Sequence, residues 1–276
     1  MPRFLNMRSA TIRRHPVASY FLITFLVSWT LAFSVLSPEL LQGRPVSQFD
    51  GILMFPAMLI GPAVSGIVLT RIVDGRTGLT GLFGQMRKWR VGKYALGLLV
   101  PPILILITLY ILRSLVSTVF IPNLFVFGIG FGVLAGILEE IGWTGFAFRK
   151  LNLRYGAFNS AIILGLVWGL WHAPVVDFLG AAYPHGGYWL PFYLSFVGIV
   201  VAVRVLIVWM FTNTRSLLAG QLTHASSTGF LAVLAPAAVV PAQEAGWYAA
   251  YGAMLWIVAL VIRVHLGPRL TRQKTA

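Results

Sequence analysis

Cysteine is absent, so disulfides, thiolate metal sites and thiol nucleophiles are excluded. Acidic residues are scarce, seven Asp+Glu against 21 Lys+Arg, and charged residues of both signs make up only 10% of the 276. A soluble chain carries about 25%, because a folded core still needs a polar surface around it. With 58% hydrophobic residues and a mean hydropathy of +0.84, the surface of this chain is suited to lipid. The formal charge of +14 is compatible with nucleic acid or with a membrane surface. The basic residues stand in short clusters between apolar runs, which selects the membrane and leaves no nucleic-acid partner.

What is present are runs long enough to cross about 30 Å of hydrocarbon as helix, roughly 20 residues each. They fall near Val17–Leu36, Ile52–Ile72, Tyr94–Leu112, Leu115–Leu138, Ala157–Val176, Tyr188–Phe211, Ser216–Leu234 and Gly246–Ile262. The fold class is therefore all-α, a multi-pass transmembrane bundle of about eight helices. No internal repeat or linker divides it, so residues 1–276 read as one integral membrane domain. The first run is long for a cleaved signal peptide and no small-x-small site follows it.

Basic residues mark alternate sides of an eight-helix chain. Arg3, Arg8, Arg13 and Arg14 precede the first run; Arg71, Arg76, Arg87, Lys88, Arg90 and Lys93 follow the second; Arg149, Lys150 and Arg154 follow the fourth. Arg204 and Arg215 are assigned to the end of the sixth, and Arg263, Arg269, Arg272 and Lys274 follow the eighth, leaving only Arg44 and Arg113 opposite. That pattern puts both termini in the cytoplasm, in the cell membrane. Leu79, Leu82, Phe83, Met86 and Trp89 share one helical face beside basic residues, the signature of an interfacial helix.

Ionisable groups at membrane depth cost at least about 2.5–3.5 kcal/mol each and default to functional candidates. Glu139 and Glu140 stand together at the end of the fourth run, where they repel one another and titrate as a coupled pair. They oppose the macrodipole of a helix C-terminus, and suit a general base or a metal ligand. Trp168 and His172 are four apart and share a helix face. His224 shares a face with Thr228, with Ser227 beside it. A lone histidine in a membrane helix is often an interhelical hydrogen-bonder, but two histidines and a carboxylate pair on three separate runs can converge in one bundle interior. With these boundaries His172 lies deeper than Glu139 and His224. His15, His185 and His265 read as surface residues.

Glu139-Glu140-Ile-Gly-Trp-Thr-Gly-Phe, Trp168-x-x-x-His172 and His224-x-x-x-Thr228, in that order, resemble the three motifs of the CAAX prenyl protease and bacteriocin-processing family, or Abi family. The usual pattern there is Glu-Glu-x-x-x-Arg, Phe-x-x-x-His and His-x-x-x-Asn. Gly61-Pro62-Ala63, Asp74-Gly75-Arg76-x-Gly78-Leu79 and Trp89-Arg90-Val91-Gly92 are also similar to its bacterial members, and the resemblance covers about residues 55–235. It implies an eight-helix intramembrane endopeptidase with an active-site cavity open to the cytoplasm, acting on peptide substrates that are membrane-bound or lipidated. Glu139, Glu140, His172, His224 and Thr228 are then the catalytic set: Glu139 with His172 would activate water, and His224 with Thr228 would stabilise the oxyanion.

The resemblance leaves the cofactor open. Zinc on Glu139, His172 and His224, a three-ligand set with a free fourth position, would make the protein a metalloprotease; the same residues without metal serve as base and oxyanion donors. The chain departs from the pattern at Thr144, where a permanent charge able to pair with the glutamates is missing, at Trp168 for phenylalanine, and at Thr228, which keeps a hydroxyl but loses an amide. Those departures also fit a non-enzymatic membrane scaffold or immunity-type protein. Intramembrane Glu and His fit a proton- or metal-coupled transporter as well, though no inverted halves or paired broken helices accompany them.

Overall fold

The structure, a computed structural model, describes residues 10–89, 91–178 and 185–271. Arg3, Arg8, Arg90, Arg272 and Lys274, counted above for orientation, lie outside the described residues. Apart from one isolated bridge between Pro122 and Pro236, the regular structure among the described residues is helical. Helices α1 (Pro16–Leu41) and α2 (Gln48–Met86) are followed by a 3₁₀ segment, Gly92–Leu99, and α3 (Val100–Leu115). Helix α4 (Gly128–Gly142) runs through a π-helical turn, Trp143–Phe148, into α5 (Arg149–Trp171). A short α6 (Ala173–Phe178), then α7 (Trp189–Thr214), α8 (Leu217–Leu234) and α9 (Pro241–Leu266) complete the order. The starts follow local chemistry: Ser47 and Ser216 cap α2 and α8 through their side chains, and proline opens α1 and α9.

Each of the eight expected runs contains a helix. Among the described residues, six stretches are long and apolar enough to cross a membrane: Pro16–Leu41, Phe49–Met86, Gly92–Leu115, Gly128–Trp171, Gly186–Thr214 and Pro241–Leu266. Helix α8, carrying Gln221, Thr223, His224, Ser226, Ser227 and Thr228, is too polar to join them. Leu22, Leu26, Tyr110, Phe127 and Val264 are among many large apolar side chains left exposed on the outside, where lipid is their solvent. The chain is an integral, multi-pass, all-α membrane protein.

The fourth helix is where the expected boundaries fail. It does not stop near Leu138. It continues past Gly142 through the π turn and breaks only at Gly156, whose φ of 72° and ψ of 171° turn the chain back; a side chain there would be strained. The glutamate pair is therefore buried in mid-helix, not wetted at a helix end. At roughly 1.5 Å per residue, Glu139 lies about 24 Å from Tyr155 and His172 about 22 Å from Ala157. The depth mismatch disappears, and its cause was where the helix carrying the glutamates ends, at Gly156, not where the helix carrying His172 begins.

Gly75, with φ 72° and ψ −161°, likewise breaks α2. In the segment after it Leu82 is buried while Phe83 and Trp89 are exposed, so only part of the expected apolar face packs inward. Lys150 pairs with Asp74 at 2.5 Å, the Phe158 amide donates to the Pro268 carbonyl at 3.0 Å, and Asn152, Arg215 and Arg269 line one cleft. These contacts gather basic helix ends on one side. Two further expectations need correcting. Arg204 is fully buried in the middle of α7, not at a loop. His185 is also buried, stacked on Phe192 with a centroid distance of 3.9 Å and with Nε2 3.0 Å from Glu244. His15 and His265 are exposed as expected.

Candidate active site

Close backbone crossings bring the site together. Helix α4 packs most extensively on α8. A Cβ added at Gly132 would lie 2.4 Å from the Ala225 carbonyl oxygen, and one at Gly136 2.4 Å from that of Gln221. Across the bundle, a Cβ at Gly165 of α5 would meet the Val201 Cα of α7 at 2.7 Å. Small residues at these positions let the helices touch, as membrane bundles require, and side chains one turn away are pressed together.

The glutamates and His224 meet at this crossing. Glu140 Oε1 lies 2.8 Å from His224 Nδ1, and Arg204 Nη1 donates to both Glu140 oxygens, at 2.9 and 2.8 Å. The Thr144 hydroxyl donates to Glu140 Oε2, and Arg204 Nη1 is 3.4 Å from the Thr144 oxygen. Because a carboxylate only accepts, the Glu140 contact places a proton on His224 Nδ1. Glu139 has fewer partners: Trp168 Nε1–H donates to its Oε2 at 2.6 Å, and His224 Nε2 stands 3.9 Å from its Oε1.

His172 follows the last residue of α5, and its backbone N–H donates to the Trp168 carbonyl at 3.2 Å. Its Nδ1 lies 2.7 Å from the Trp168 carbonyl. That contact puts the proton on Nδ1 and leaves Nε2 as an acceptor. The Trp168 ring packs edge-on against His172 and His224, centroids 5.1 and 4.9 Å away, while the Arg204 guanidinium lies 4.1 Å from its centroid. Trp168, His172, Ser227 and Thr228 line an apolar cavity of about 220 Å³ together with Phe55, Phe196 and Tyr248.

All five expected site residues thus fall in one region. Glu139, Glu140 and His224 are in direct contact or near it, and His172 and Thr228 join them across Trp168 and the cavity wall. Arg204 was missed as a site residue. Its signal was present, since an arginine inside an apolar run is a functional candidate by default, but it had been counted as an orientation marker. A zinc ion needs donors about 2.0–2.2 Å from one point. Among the described residues no group of three His, Cys, Asp or Glu is placed to hold a metal, so Glu139, His172 and His224 do not fit zinc as arranged.

The cavity extends toward Val175, Ala235 and Tyr248, at helix ends opposite the gathered basic ends. The cytoplasmic opening implied by the family resemblance and the orientation read from the basic residues therefore point to opposite faces for this cavity.

Residues 121–230, which hold all three motifs, match the family model of the type II CAAX prenyl endopeptidases, Rce1-like. A curated protein, CAAX prenyl protease 2 of Methanococcus maripaludis, is 34% identical over 115 residues. That alignment covers 39% of this chain and 39% of the relative's length. The motif-bearing segment belongs to the family that its motifs resemble.

Proposed function

From a segment of that family, we propose that the whole chain is an intramembrane endopeptidase of the cell membrane, with both termini cytoplasmic. It hydrolyses a peptide bond in a membrane-associated substrate, and a lipid group on that substrate would suit the apolar cavity. One observation carries the reading: Glu139 lies buried beside His224 and accepts a hydrogen bond from Trp168, which lines a cavity together with His172 and Thr228.

Glu139 is the general base, with the His172 Nε2 lone pair as its companion acceptor. Water gives a proton to Glu139 as its oxygen bonds the scissile carbonyl carbon. Glu140 holds His224 by Nδ1, so that its Nε2 stands on the Glu139 side. His224 Nε2–H and the Thr228 hydroxyl then donate to the developing oxyanion. Collapse breaks the C–N bond, and the proton held by Glu139 passes to the leaving amine. Glu140 orients His224 throughout.

The test compares peptide termini in membranes of cells making the native protein or Glu139→Gln at matched levels, by mass spectrometry. Termini present only with the native protein are expected, and they would identify the substrate. Identical termini, with both proteins folded and abundant, would overturn the enzymatic reading in favour of a membrane partner that kept the fold.

A further inference from the structure

Position 144 lies one helical turn beyond Glu140, and its hydroxyl touches the Glu140 carboxylate. A long cationic side chain at 144 would reach the same oxygens from α4. In this chain the cation arrives from another helix: Arg204 of α7 is fully buried, sets Nη1 on both Glu140 oxygens and stands 3.4 Å from the Thr144 oxygen. Two guanidinium groups cannot share that space without like-charge crowding, so threonine at 144 and arginine at 204 are a matched pair.

We infer that Arg204 is the positioning residue of the site, holding Glu140 against His224 from α7 and so doing the work that an arginine at position 144 would do from α4. An unpaired buried carboxylate is costly. Without Arg204, Glu140 would be left with a hydroxyl and an imidazole, and His224 would lose its fixed orientation beside Glu139. Only Nη1 makes hydrogen bonds; Nε and Nη2 have no hydrogen-bond partner among the described residues. A single ammonium nitrogen can therefore take over the contact, whereas a neutral side chain cannot.

The catalytic consequence rests on the endopeptidase reading, but the charge pairing does not, so two readouts are taken. Native protein, Arg204→Met, Thr144→Arg, the double variant Arg204→Met/Thr144→Arg, and Arg204→Lys are purified in detergent micelles. Each is melted, and each is assayed on a substrate found by the terminus comparison. Both single variants in the cycle are expected to melt below native and to lose at least tenfold in kcat with KM little changed. The double variant should recover melting and rate to within about threefold of native, and Arg204→Lys should keep most of both. A double variant no better than its singles, in melting, would overturn the pairing. Restored melting without restored rate would overturn the positioning role. An absence of cleavage by native protein alongside a restored melt would count against the endopeptidase reading alone.

Discussion

Glu139 and Glu140 are neighbours on one helix, equally buried, yet they face opposite surroundings. Glu140 looks into a closed corner, where a guanidinium, a hydroxyl and an imidazole take up its oxygens. Glu139 has one indole N–H, from the Trp168 that lines the cavity, and a histidine nitrogen 3.9 Å away. Adjacent residues on a helix point about 100° apart, so a two-carboxylate motif splits into an anchored member and a free one. A saturated carboxylate has no lone pair left for substrate water and serves to orient; the undersatisfied one has capacity to react.

The largest effects should come from neutralising each carboxylate. Glu139→Gln is expected to melt closer to the native protein than Glu140→Gln does and to lose about 10²–10⁴-fold in kcat, the usual share of a general base. Glu140→Gln strands the Arg204 charge in the bundle interior, which costs about 3–5 kcal/mol of stability, so its melting point should drop with its activity. Melting curves and cleavage rates on both variants check the contrast. It breaks if Glu140→Gln is the stable, inactive protein and Glu139→Gln the unstable one.

Next is the crossing that holds the two surroundings in place. Gly136→Ala puts a Cβ 2.4 Å from a backbone oxygen of α8, so the helices must separate. Overpacking of this kind costs about 1–3 kcal/mol. The Glu140–His224 contact should loosen, and the variant should lose both melting temperature and rate. Gly130→Ala, on the same helix with open space around it, should change neither.

On the cavity side, Thr228→Val removes a hydroxyl and keeps the shape. It should lower kcat on the order of 10², the lower end for an oxyanion donor, while Thr228→Ser stays near native. The absence of cysteine makes the facing of this side directly measurable. With the basic helix ends in the cytoplasm, a membrane-impermeant maleimide should label Ala235→Cys in intact cells and His265→Cys only after permeabilisation. The reverse pattern would put the cavity on the cytoplasmic face.

The three motifs and the eight helical runs were legible because each depends on local spacing and hydropathy. The end of α4 was not, since Glu139 and Glu140 interrupt the apolar run until the packing of Trp143–Phe148 against Leu82 and Leu217 is known, and the true break depends on Gly156, eight residues beyond Phe148. Arg204 was visible but misread. Charge was used there to count sides of the membrane, and the pairing of that arginine with Glu140 across α4 and α7 leaves no trace in either helix alone. His185 was misread for the same reason, its partners Phe192 and Glu244 lying on two other segments.

The smallest expected effect concerns Trp168, which borders both surroundings. Its indole N–H is one of the few contacts of Glu139, while its ring face carries the Arg204 guanidinium. Trp168→Phe deletes the N–H and keeps an aromatic ring between the two histidines. A hydrogen bond to a charged group contributes about 1.5–3 kcal/mol of stability, but most of that is felt equally before and during reaction. The rate should therefore fall by no more than about tenfold, or roughly 1.4 kcal/mol. A loss beyond about 10² with an unchanged melt would make the indole part of the chemistry, and Glu139 would then be less free than its sparse contacts imply.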